Sequence, residues 1–453
     1  MLSIVDIILK NELWEKFNFH NDQIVNSICT DTRSIQKGDL FVGIIGEKFD
    51  GNKFYDDAIL KGAECIVFDR RTESVDLRKI DINIPYIVVD DALAFLQELS
   101  RKYVKEWKSN GGKVICITGS NGKTTTKEML AFFLGARYPN EVIATKGNFN
   151  NHIGVPLTLL NIKKSHKFAV VEIGTNSPGE INFLSEIAQP DFGIITSIGE
   201  SHLEKLIDID GVLREKLSLF NYLSKNGEEE KNCFYLKVGK LAGIDDKKNY
   251  FTIDIGKTLI QKSENHFTLK LDDDVIEIKN ENVIGSYNFH NLSLAVALSI
   301  KLGLRKEIIE KIVHRFIPGA SRSEWKKYNG LNVFCDYYNA NPTSMINAID
   351  AFTKYVEFKS EESLYVIGDM YELGNLSHEY HQKIGMHLKN IGARNVVFIG
   401  KYSKYLALGF GDKCQKYINS SEFNLLSLQN QNISYVFVKG SRGVKLENIF
   451  VDD

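Results

Sequence analysis

The chain has 453 residues, which is enough for about three domains of ordinary size. Hydrophobic residues make up 43% and charged residues 25%, as in ordinary globular proteins, so the composition excludes disordered and fibrous classes. A net charge of −2 gives no electrostatic footprint for nucleic acid, and we expect no nucleic-acid partner.

The cellular compartment is indicated by the first residues and by the cysteines. The apolar run in residues 1–17 is broken by Asp6 and Lys10 and has no basic segment before it, so we do not predict a signal peptide. No sequence segment reaches the ~18 uninterrupted apolar residues that span a bilayer. The 6 cysteines are widely spaced, without a C-x-x-C pair, which favours free thiols. The sequence therefore predicts a cytoplasmic protein that does not span a membrane.

Residues 1–107 are predicted to form a small α/β domain, because short apolar runs alternate there with polar turns. Two of these turns contain residues 31–33 and 46–51. Taken alone, the Asp-Thr-Arg of residues 31–33 is most often a turn with a surface ion pair, and it names no ligand. Residues 92–107 have the pattern of an amphipathic helix, and the turn cluster that follows predicts a domain boundary.

The next segment is predicted to bind phosphate. An apolar, β-branched run at 114–118 predicts a buried strand, and residues 127–134 predict a helix. The residues between them include Gly119, Ser120, Asn121, Gly122, Lys123, Thr124 and Thr125. Glycines let backbone N–H groups approach an anion, the lysine adds positive charge, and a threonine hydroxyl suits phosphate-bound Mg²⁺. The G-x-x-G-K-T spacing is tighter than the Walker pattern, and an ordinary turn is the alternative.

Two polar side chains follow predicted strands of the same sheet. Glu172 lies near the end of the strand at 168–174, and His202 follows the strand at 192–197. Ligands bind beyond the carboxyl ends of parallel strands, so we expect both residues near the phosphate loop. The loop at 145–156 is rich in asparagine and glycine, which fits a binding loop or an Asn-rich turn equally well. Lys216 lies in a predicted helix at 206–219, where a lysine is nearly always solvated.

The rest of the chain completes an α/β fold with three domains. Residues 108–316 are predicted as a central domain with a P-loop parallel sheet, a β-hairpin at 267–278 and a helix at 292–301. Asn288 and Asn291 precede that helix and either cap it or face a ligand. Residues 317–453 alternate strands with helices, which predicts a second parallel sheet. The predicted elements there are strands 331–335, 363–367, 395–399 and 434–438, and helices 342–355 and 378–390.

Together these motifs resemble the Mur ligase family over nearly the whole chain. The most specific segments are 117–125, 147–156, 338–345, 368–374 and 439–442. The resemblance implies an N-terminal UDP-sugar-binding domain, a central ATP-binding domain, and a C-terminal Rossmann-like domain that closes over ATP and binds an amine substrate. It implies an ATP-dependent amide ligase of peptidoglycan precursor synthesis. Its substrates would be UDP-N-acetylmuramoyl-tripeptide and D-alanyl-D-alanine, joined through an acyl phosphate.

The resemblance also assigns roles to residues. Lys123 would hold the phosphates, Thr124 and Glu172 would bind one Mg²⁺, and His202 would bind a second. Lys216 would be carbamylated by CO₂ to become an oxygen ligand, although Ser218 stands where a glutamate is usual. The further nucleotide contacts would be residues 119–125, Asn288, Asn291, Arg322, Asp336, Tyr338 and Asn339, with Tyr287 where a histidine is usual. The UDP-sugar and peptide contacts would be Asp31, Thr32, Arg33, Gly46, Asp50, Gly51, Asn148, Asn150 and Asn151.

Three alternatives remain at the level of the sequence. A sister ligase would add another amino acid, or glutamates to folate, but the loop at 338–342 argues against it. A P-loop kinase or plain ATPase would release its product without an amine. A nucleotide-binding protein without catalysis would not need Lys123, Thr124, Glu172 and His202 together. We expect a monomer, and the third residue of the peptide substrate, lysine or diaminopimelate, is not specified by the sequence.

Overall fold

The computed structural model describes residues 3–20, 24–80, 82–227, 230–244, 248, 250–263, 265–271, 274–319, 321–357, 363–428 and 432–450. The predicted α/β class is confirmed, with strands gathered into sheets that are mostly parallel and flanked by helices. None of the helices in these ranges is long and apolar enough to cross a bilayer.

The N-terminal unit is built on a five-stranded sheet with the order β1-β5-β4-β3-β2. Its elements are α1 (Ile4–Leu9), β1 (Glu15–Phe17), β2 (Ile28–Cys29), β3 (Asp39–Val42), α2 (Tyr55–Leu60), β4 (Ala63–Asp69), β5 (Tyr86–Val89) and α3 (Ala92–Ser109). Strands β2 to β5 are parallel, and β1 is antiparallel to β5. Because β2 and β3 are parallel neighbours, the loops that follow them lie at one edge of the sheet. These are the loops that contain residues 31–33 and 46–51.

The central unit is built on a six-stranded sheet with the order β11-β10-β9-β6-β8-β7. Its strands are β6 (Lys113–Thr118), β7 (Val142–Ala144), β8 (Phe168–Glu172), β9 (Phe192–Ile195), β10 (Cys233–Leu236) and β11 (Phe251–Ile253). Its helices are α4 (Lys123–Arg137), α5 (Gly154–Leu160), α6 (Glu180–Ala188), α7 (Leu203–Leu206), α8 (Ile209–Lys225), α9 (Ser286–Lys301) and α10 (Lys306–Ile312). All the pairings are parallel, and β6 lies between β8 and β9. The carboxyl ends of these three strands therefore meet at one edge.

A second, antiparallel sheet of the central unit contains β12 (Leu259–Ser263), β13 (His266–Leu271) and β14 (Asp274–Lys279). The pairing of β13 with β14 confirms the predicted hairpin, whose turn residues 272 and 273 lie outside the described residues. The predicted helix at 206–219 was wrong in its start. The chain leaves the helical path at Ile207 (φ +73°), and a new helix, α8, begins where the Asp208 carboxylate caps the Gly211 N–H at 2.7 Å.

Helix α3 joins the first two units. The Asp91 carboxylate caps its first turn by accepting the N–H groups of Leu93 and Ala94. Its apolar face packs on α5 and α6 of the central unit, and the Tyr103 hydroxyl donates to the Ile162 carbonyl at 2.6 Å. One continuous apolar core consequently runs from the N-terminal sheet into the central sheet.

The C-terminal unit is built on a six-stranded sheet with the order β15-β16-β20-β17-β18-β19. Its elements are β15 (Glu324–Tyr328), β16 (Leu331–Asp336), α11 (Pro342–Glu357), β17 (Ser363–Gly368), α12 (Ser377–Asn390), β18 (Asn395–Ile399), α13 (Ser403–Phe410), β19 (Gln415–Tyr417) and β20 (Tyr435–Lys439). The predicted parallel sheet is confirmed, with an antiparallel edge strand, β15, that the sequence did not predict. Alternate side chains of β16 enter two cores, Phe334 on one face and Val333 and Cys335 on the other.

Candidate active site

The phosphate loop has the predicted strand, turn and helix. After β6, Gly119 and Gly122 adopt φ values of +151° and +84°, which favour glycine. A Cβ on Gly122 would lie 2.3 Å from the Asn291 Oδ1, so a larger residue would clash with α9. Helix α4 begins at Lys123, and the unpaired N–H groups of its first turn form the kind of site that binds phosphate.

The loop after β9 holds the phosphate loop in shape. Ser120 donates its N–H to the Ser197 carbonyl at 2.8 Å and its hydroxyl to the Gly199 carbonyl at 2.9 Å. Asn121 donates its N–H to the Ser197 hydroxyl at 3.0 Å. These bonds fix the phosphate loop against the segment that leads to His202, as expected for loops that follow neighbouring parallel strands.

Glu172 lies at the end of β8, beside the start of α4, and is 2% exposed. Its two carboxylate oxygens accept hydrogen bonds from the Thr124 hydroxyl and from the Asn150 side-chain amide, each at 2.7 Å. A carboxylate and a hydroxyl next to a phosphate site are the oxygen donors that Mg²⁺ prefers, so these residues fit that ion. Among the described residues, no three His, Cys, Asp or Glu side chains converge on one point. Phosphate oxygens and water would therefore complete the coordination.

Two lysines of the central unit, Lys123 and Lys216, have lowered pKa values. The Lys123 Nζ donates to the Gly119 carbonyl at 2.7 Å. Burial lowers the pKa of Lys123, as does the charge of Arg322, whereas the carboxylates of Glu172 and Glu372 raise it. Lys216 is 1% exposed, and its burial, together with the positive charge of Lys123, holds its pKa well below the ordinary value. The expectation that Lys216 is solvated was therefore wrong.

Lys216 is buried because of the way α8 packs. Buried residues recur along one face of this helix at Val212, Lys216, Leu219 and Leu223. The neighbouring Glu215 carboxylate accepts the N–H groups of Gly179 and Ile181 at 2.7 and 2.8 Å, which ties α8 to the start of α6. The Glu215 carboxylate is thus hydrogen-bonded to backbone N–H groups. The packing of α8 places Lys216 close enough to Lys123 of the phosphate loop for the two charges to interact.

His202 contacts the C-terminal unit. Its backbone is left-handed (φ +54°), and its Nδ1 lies 2.6 Å from an oxygen of Glu372, in the loop after β17. The hydrogen bond from His202 lowers the pKa of Glu372 most strongly. The sequence singled out the segment at 368–374 without assigning Glu372 a role. The position of Glu372 after a predicted strand of the C-terminal unit was the available signal. The contact with His202 could not be predicted from it, because it depends on how the two units meet.

Two further contacts join these units beside the phosphate loop. The side-chain amides of Asn121 and Asn341 pair reciprocally, at 2.8 and 3.3 Å. The Thr343 hydroxyl donates to the Glu200 carboxylate. Asn341 also accepts the Ser344 N–H at 2.8 Å, so the same side chain caps α11. Sequence reasoning assigned Asn121 to the nucleotide and missed its partner.

The further residues predicted to contact the nucleotide lie in the C-terminal unit and in α9. The Arg322 guanidinium lies over the Tyr338 ring, 3.9 Å from its centre, and Asp336 pairs with Lys439, whose Nζ also donates to the Asn339 carbonyl at 3.1 Å. Helix α9 begins at Ser286, earlier than predicted, because Gly285 (φ +82°) starts it without a side-chain cap.

The alternative that Asn288 and Asn291 cap this helix was therefore wrong, since both lie within it. Asn288 donates its side-chain amide to the Ile284 carbonyl at 2.8 Å, and Asn291 faces Gly122. Where a histidine is usual, the Tyr287 hydroxyl lies 2.9 Å from the Ser323 hydroxyl across the two units.

The residues predicted to bind the UDP-sugar lie in the N-terminal unit. Arg33 holds the Asp31 carboxylate at 2.6 Å, which lowers the pKa of Asp31 to about 2. Thr32 stands between them in the turn after β2. In the loop after β3, backbone bonds join Gly46 to the Phe49 carbonyl and Gly51 to the Ile44 carbonyl, each at 2.9 Å, while Asp50 accepts the Asn52 N–H at 2.9 Å. In the part of the chain that the structure describes, no side-chain hydrogen bond or ion pair joins these residues to the phosphate loop.

The predicted asparagines of the 145–156 loop divide between two positions. Asn150 holds Glu172, as described above. The Asn151 side chain accepts the Gly154 N–H at 2.9 Å and so supports the start of α5. Asn148 is exposed. The Gln97 amide of α3 donates to the neighbouring His152 carbonyl at 3.0 Å, which links this loop to the N-terminal unit.

The chain is similar in sequence and fold to proteins of known family. Three family models match: Mur ligase family, catalytic domain, at 24–104; Mur ligase middle domain, at 117–299; and Mur ligase, glutamate ligase domain, at 321–441. The chain is 34% identical to the UDP-N-acetylmuramoyl-tripeptide–D-alanyl-D-alanine ligase of Bacillus subtilis, over 96% of this chain and 94% of that one. The chain belongs to the Mur ligase family.

Other Mur ligases support the same assignment. The ligase of that name from Buchnera aphidicola subsp. Baizongia pistaciae is 33% identical, over 94% of this chain and 91% of its own. A crystal structure of MurF from Acinetobacter baumannii superposes with a TM-score of 0.81 at 27% identity, covering 94% of this chain and 92% of its own. The resemblance to Mur ligases that the motifs predicted is thereby confirmed.

Proposed function

We propose that this Mur ligase joins D-alanyl-D-alanine to UDP-N-acetylmuramoyl-tripeptide in peptidoglycan precursor synthesis, with hydrolysis of ATP to ADP and phosphate. Similarity along nearly the whole chain to ligases of that printed name supports the choice of substrates. The structural observation that carries the proposal is the composite cleft. A phosphate loop with Glu172 and buried Lys216 is met there by Asn341 and Glu372 of the C-terminal unit.

The geometry suits the activation of a carboxylate by phosphoryl transfer. A carboxylate reacts poorly with an amine because its charge repels the nucleophile and oxide is a poor leaving group, whereas an acyl phosphate releases phosphate. Lys123 and the N–H groups at the start of α4 would hold the β- and γ-phosphates and stabilise the charge that develops during transfer. Thr124, Glu172 and His202 would hold two Mg²⁺ ions, which neutralise phosphate charge when bound.

We also propose that Lys216 is carbamylated. Only a neutral amine attacks CO₂, and burial beside Lys123 disfavours the ammonium form. The Nζ would form a bond to the carbon of CO₂ and lose a proton, which leaves a carbamate with one negative charge. That charge is attracted by Lys123, where an ammonium is repelled. The carbamate oxygens would then supply the metal with a ligand that the lysine itself lacks.

The remaining substrate contacts follow the division into units. We assign residues 1–107 to the UDP-sugar, 108–316 to ATP, and 317–453 to closure over ATP and the amine substrate. The loops after β2 and β3, with Asp31, Thr32, Arg33 and the segment 46–51, would bind the UDP-sugar. The loop that contains Asn148 is bonded to α3 through the His152 carbonyl and to Glu172 through Asn150. Asn148 would lie along the path of the muramoyl peptide.

One assay tests the proposal. The purified chain is supplied with ATP, Mg²⁺, D-alanyl-D-alanine and UDP-tripeptide containing either lysine or diaminopimelate, and ADP and the UDP-pentapeptide product are measured. We expect ADP formation to require both D-alanyl-D-alanine and the UDP-tripeptide. If ADP formed equally fast without the dipeptide, the proposed ligase activity would be refuted in favour of a kinase or ATPase. Turnover with glutamate in place of the dipeptide would indicate a sister ligase.

A further inference from the structure

One segment of the C-terminal unit is strongly basic, although the chain as a whole is nearly neutral. Residues 377–417, which form α12, β18, α13 and β19, contain 7 Lys or Arg and only 2 Asp or Glu. The formal charge of the segment is therefore +5, in a chain whose net charge is −2. All 7 basic residues are exposed, namely Lys383, Lys389, Arg394, Lys401, Lys404, Lys413 and Lys416. This part of the surface consequently attracts anions, which the total charge does not reveal.

Most of these charges are not neutralised by the protein itself. Lys383 pairs with Glu379, one turn before it on α12, at 2.6 Å. The other 6 basic residues of the segment form no ion pair with any residue that the structure describes. Lys401 and Lys404 each lie over the ring of the tyrosine that follows them, 4.7 and 4.8 Å from its centre, which holds the side chain without removing its charge. These lysines are therefore available to an anionic partner.

Helices α12 and α13 form one continuous outer surface. Both contribute to the same apolar core on one face of the C-terminal sheet, and α13 also contacts the edge strand β19. Their backbones touch, because a Cβ on Gly409 would lie 2.0 Å from the Gln382 carbonyl oxygen and 2.7 Å from the Met386 nitrogen. Met386 and Leu408 are consequently close together on the outer surface, where they are 48% and 67% exposed. We call the exposed residues of 377–418 the basic face.

The chemistry of the basic face favours an anionic lipid surface over nucleic acid. A third aliphatic side chain, Ile418, is 63% exposed directly after β19. Lipid-binding faces combine lysines with apolar side chains that enter the headgroup boundary, whereas single-stranded nucleic acid stacks its bases on open aromatic rings. The rings here are covered on the other side from their lysines, since Tyr405 stacks on His378 and Tyr402 on His381, with ring centres 3.9 and 4.5 Å apart.

We propose that the basic face docks the protein on membranes whose surface carries anionic lipid headgroups. Its lysines would lie at the headgroups, and its three exposed aliphatic side chains would enter the boundary between headgroups and acyl chains. The contact would be peripheral and reversible, because it uses surface side chains alone. Lys401 also lies 5.7 Å from the centre of the Tyr371 ring, next to Glu372, so docking would bring the mouth of the cleft near the membrane. Docking does not depend on the proposed ligase activity.

Sedimentation of the full chain with lipid vesicles tests the proposal. The vesicles contain either phosphatidylcholine alone or equal amounts of phosphatidylcholine and phosphatidylglycerol. We expect binding to the mixed vesicles only, and weaker binding as salt is added, because salt screens the attraction between lysines and headgroups. Binding to both kinds of vesicle with equal affinity, or to neither, would overturn the proposal.

The basic face is tested by a triple variant, Lys389→Gln with Lys404→Gln and Lys416→Gln. It should bind mixed vesicles about 100-fold more weakly, since each lysine near an anionic surface strengthens binding about 5-fold. The matched control removes the same charge from exposed lysines of the other two units and should bind like the wild type: Lys105→Gln with Lys163→Gln and Lys270→Gln. Equal binding by the two triple variants would place the contact elsewhere and overturn the proposal.

The choice between lipid and nucleic acid is tested by Leu408→Ser. Loss of an aliphatic side chain that enters the membrane should weaken vesicle binding about 10-fold. Binding of a single-stranded RNA oligonucleotide is measured with the same proteins. RNA bound more tightly than the mixed vesicles, and equally by the wild type and Leu408→Ser, would replace the lipid surface by nucleic acid. Because all the substituted side chains are exposed, every variant should unfold near the wild-type temperature.

Discussion

The two sides of the cleft differ in how their charged groups are held. On the central side, Glu172 is 2% and Lys216 is 1% exposed, and both are fixed by packing within one unit. On the C-terminal side, the Glu372 and Arg442 side chains are 58% and 61% exposed. Charges in a water-poor site interact strongly, while exposed charges are screened. The central side is therefore suited to the chemical step, and the C-terminal side to recognition and closure.

The role of the central side in the chemical step is tested first by Lys123→Ala. Removing the lysine charge at the start of α4 should lower kcat by about 10³-fold or more, because that charge would stabilise the negative charge that develops during phosphoryl transfer. Binding of the UDP-sugar, measured by calorimetry, should persist, since the predicted contacts lie in the N-terminal unit. The matched control is Lys163→Ala, which removes an exposed lysine of the same unit and should leave kcat unchanged. Substantial activity in Lys123→Ala would refute the phosphate assignment.

The second change tests Lys216, the buried lysine of α8. Lys216→Ala should reduce kcat about 10²- to 10³-fold, and acetate or propionate should restore part of it by entering the space that the side chain leaves. Lys216→Met is the control, because it fills that space without an amine. It should be as inactive as the alanine variant and should not respond to either acid. A fully active Lys216→Ala would end the carbamate proposal, and rescue of both variants would show that the acids act elsewhere.

The same comparison explains what the sequence could predict. The strand, turn and helix around 119–125 and the positions of Glu172 and His202 were predictable, because each follows directly from its own strand. The burial of Lys216 was not, since it depends on Glu215 contacting the start of α6, well before it in the chain. The start of α9 was missed because Gly285, rather than an asparagine, precedes it.

Contacts between the units could not be predicted from local sequence patterns. The pairs Asn121–Asn341 and His202–Glu372 each join residues of different sheets, and nothing in the spacing of the motifs specifies how the sheets meet. The strand β15 was missed for a similar reason. It forms only an edge of the C-terminal sheet, and its charged and aromatic residues, none of them buried, carry little periodic signal.

A third change tests Asp369, a buried carboxylate of the C-terminal unit. Its oxygens accept the N–H groups of Lys401 and Tyr402 at 2.9 and 3.1 Å, and burial raises its pKa from 3.8 to about 6. Because the folded pKa is raised, the stabilisation is present below about pH 4 and is lost as the pH rises through about 6. The loss should approach about 3 kcal/mol.

The variant Asp369→Asn removes this titration. The difference in unfolding temperature between wild type and variant should therefore favour the wild type more at pH 4.5 than at pH 7.5. The amide replaces one acceptor by a donor at every pH, which shifts both values by a similar amount and cancels in the comparison. An identical difference at the two pH values would mean that Asp369 does not titrate in this range.

The smallest expected effect separates the two tasks of Asn341, which caps α11 and pairs with Asn121 of the phosphate loop. Asn341→Ala loses both contacts and should cost about 1 kcal/mol of stability, whereas Asn341→Ser keeps a capping oxygen and should unfold near the wild-type temperature. Both variants should raise the KM for ATP about 2- to 10-fold, because each lacks the hydrogen bonds that hold the C-terminal unit against the phosphate loop. A serine variant with wild-type KM would show that this pair follows closure without stabilising it.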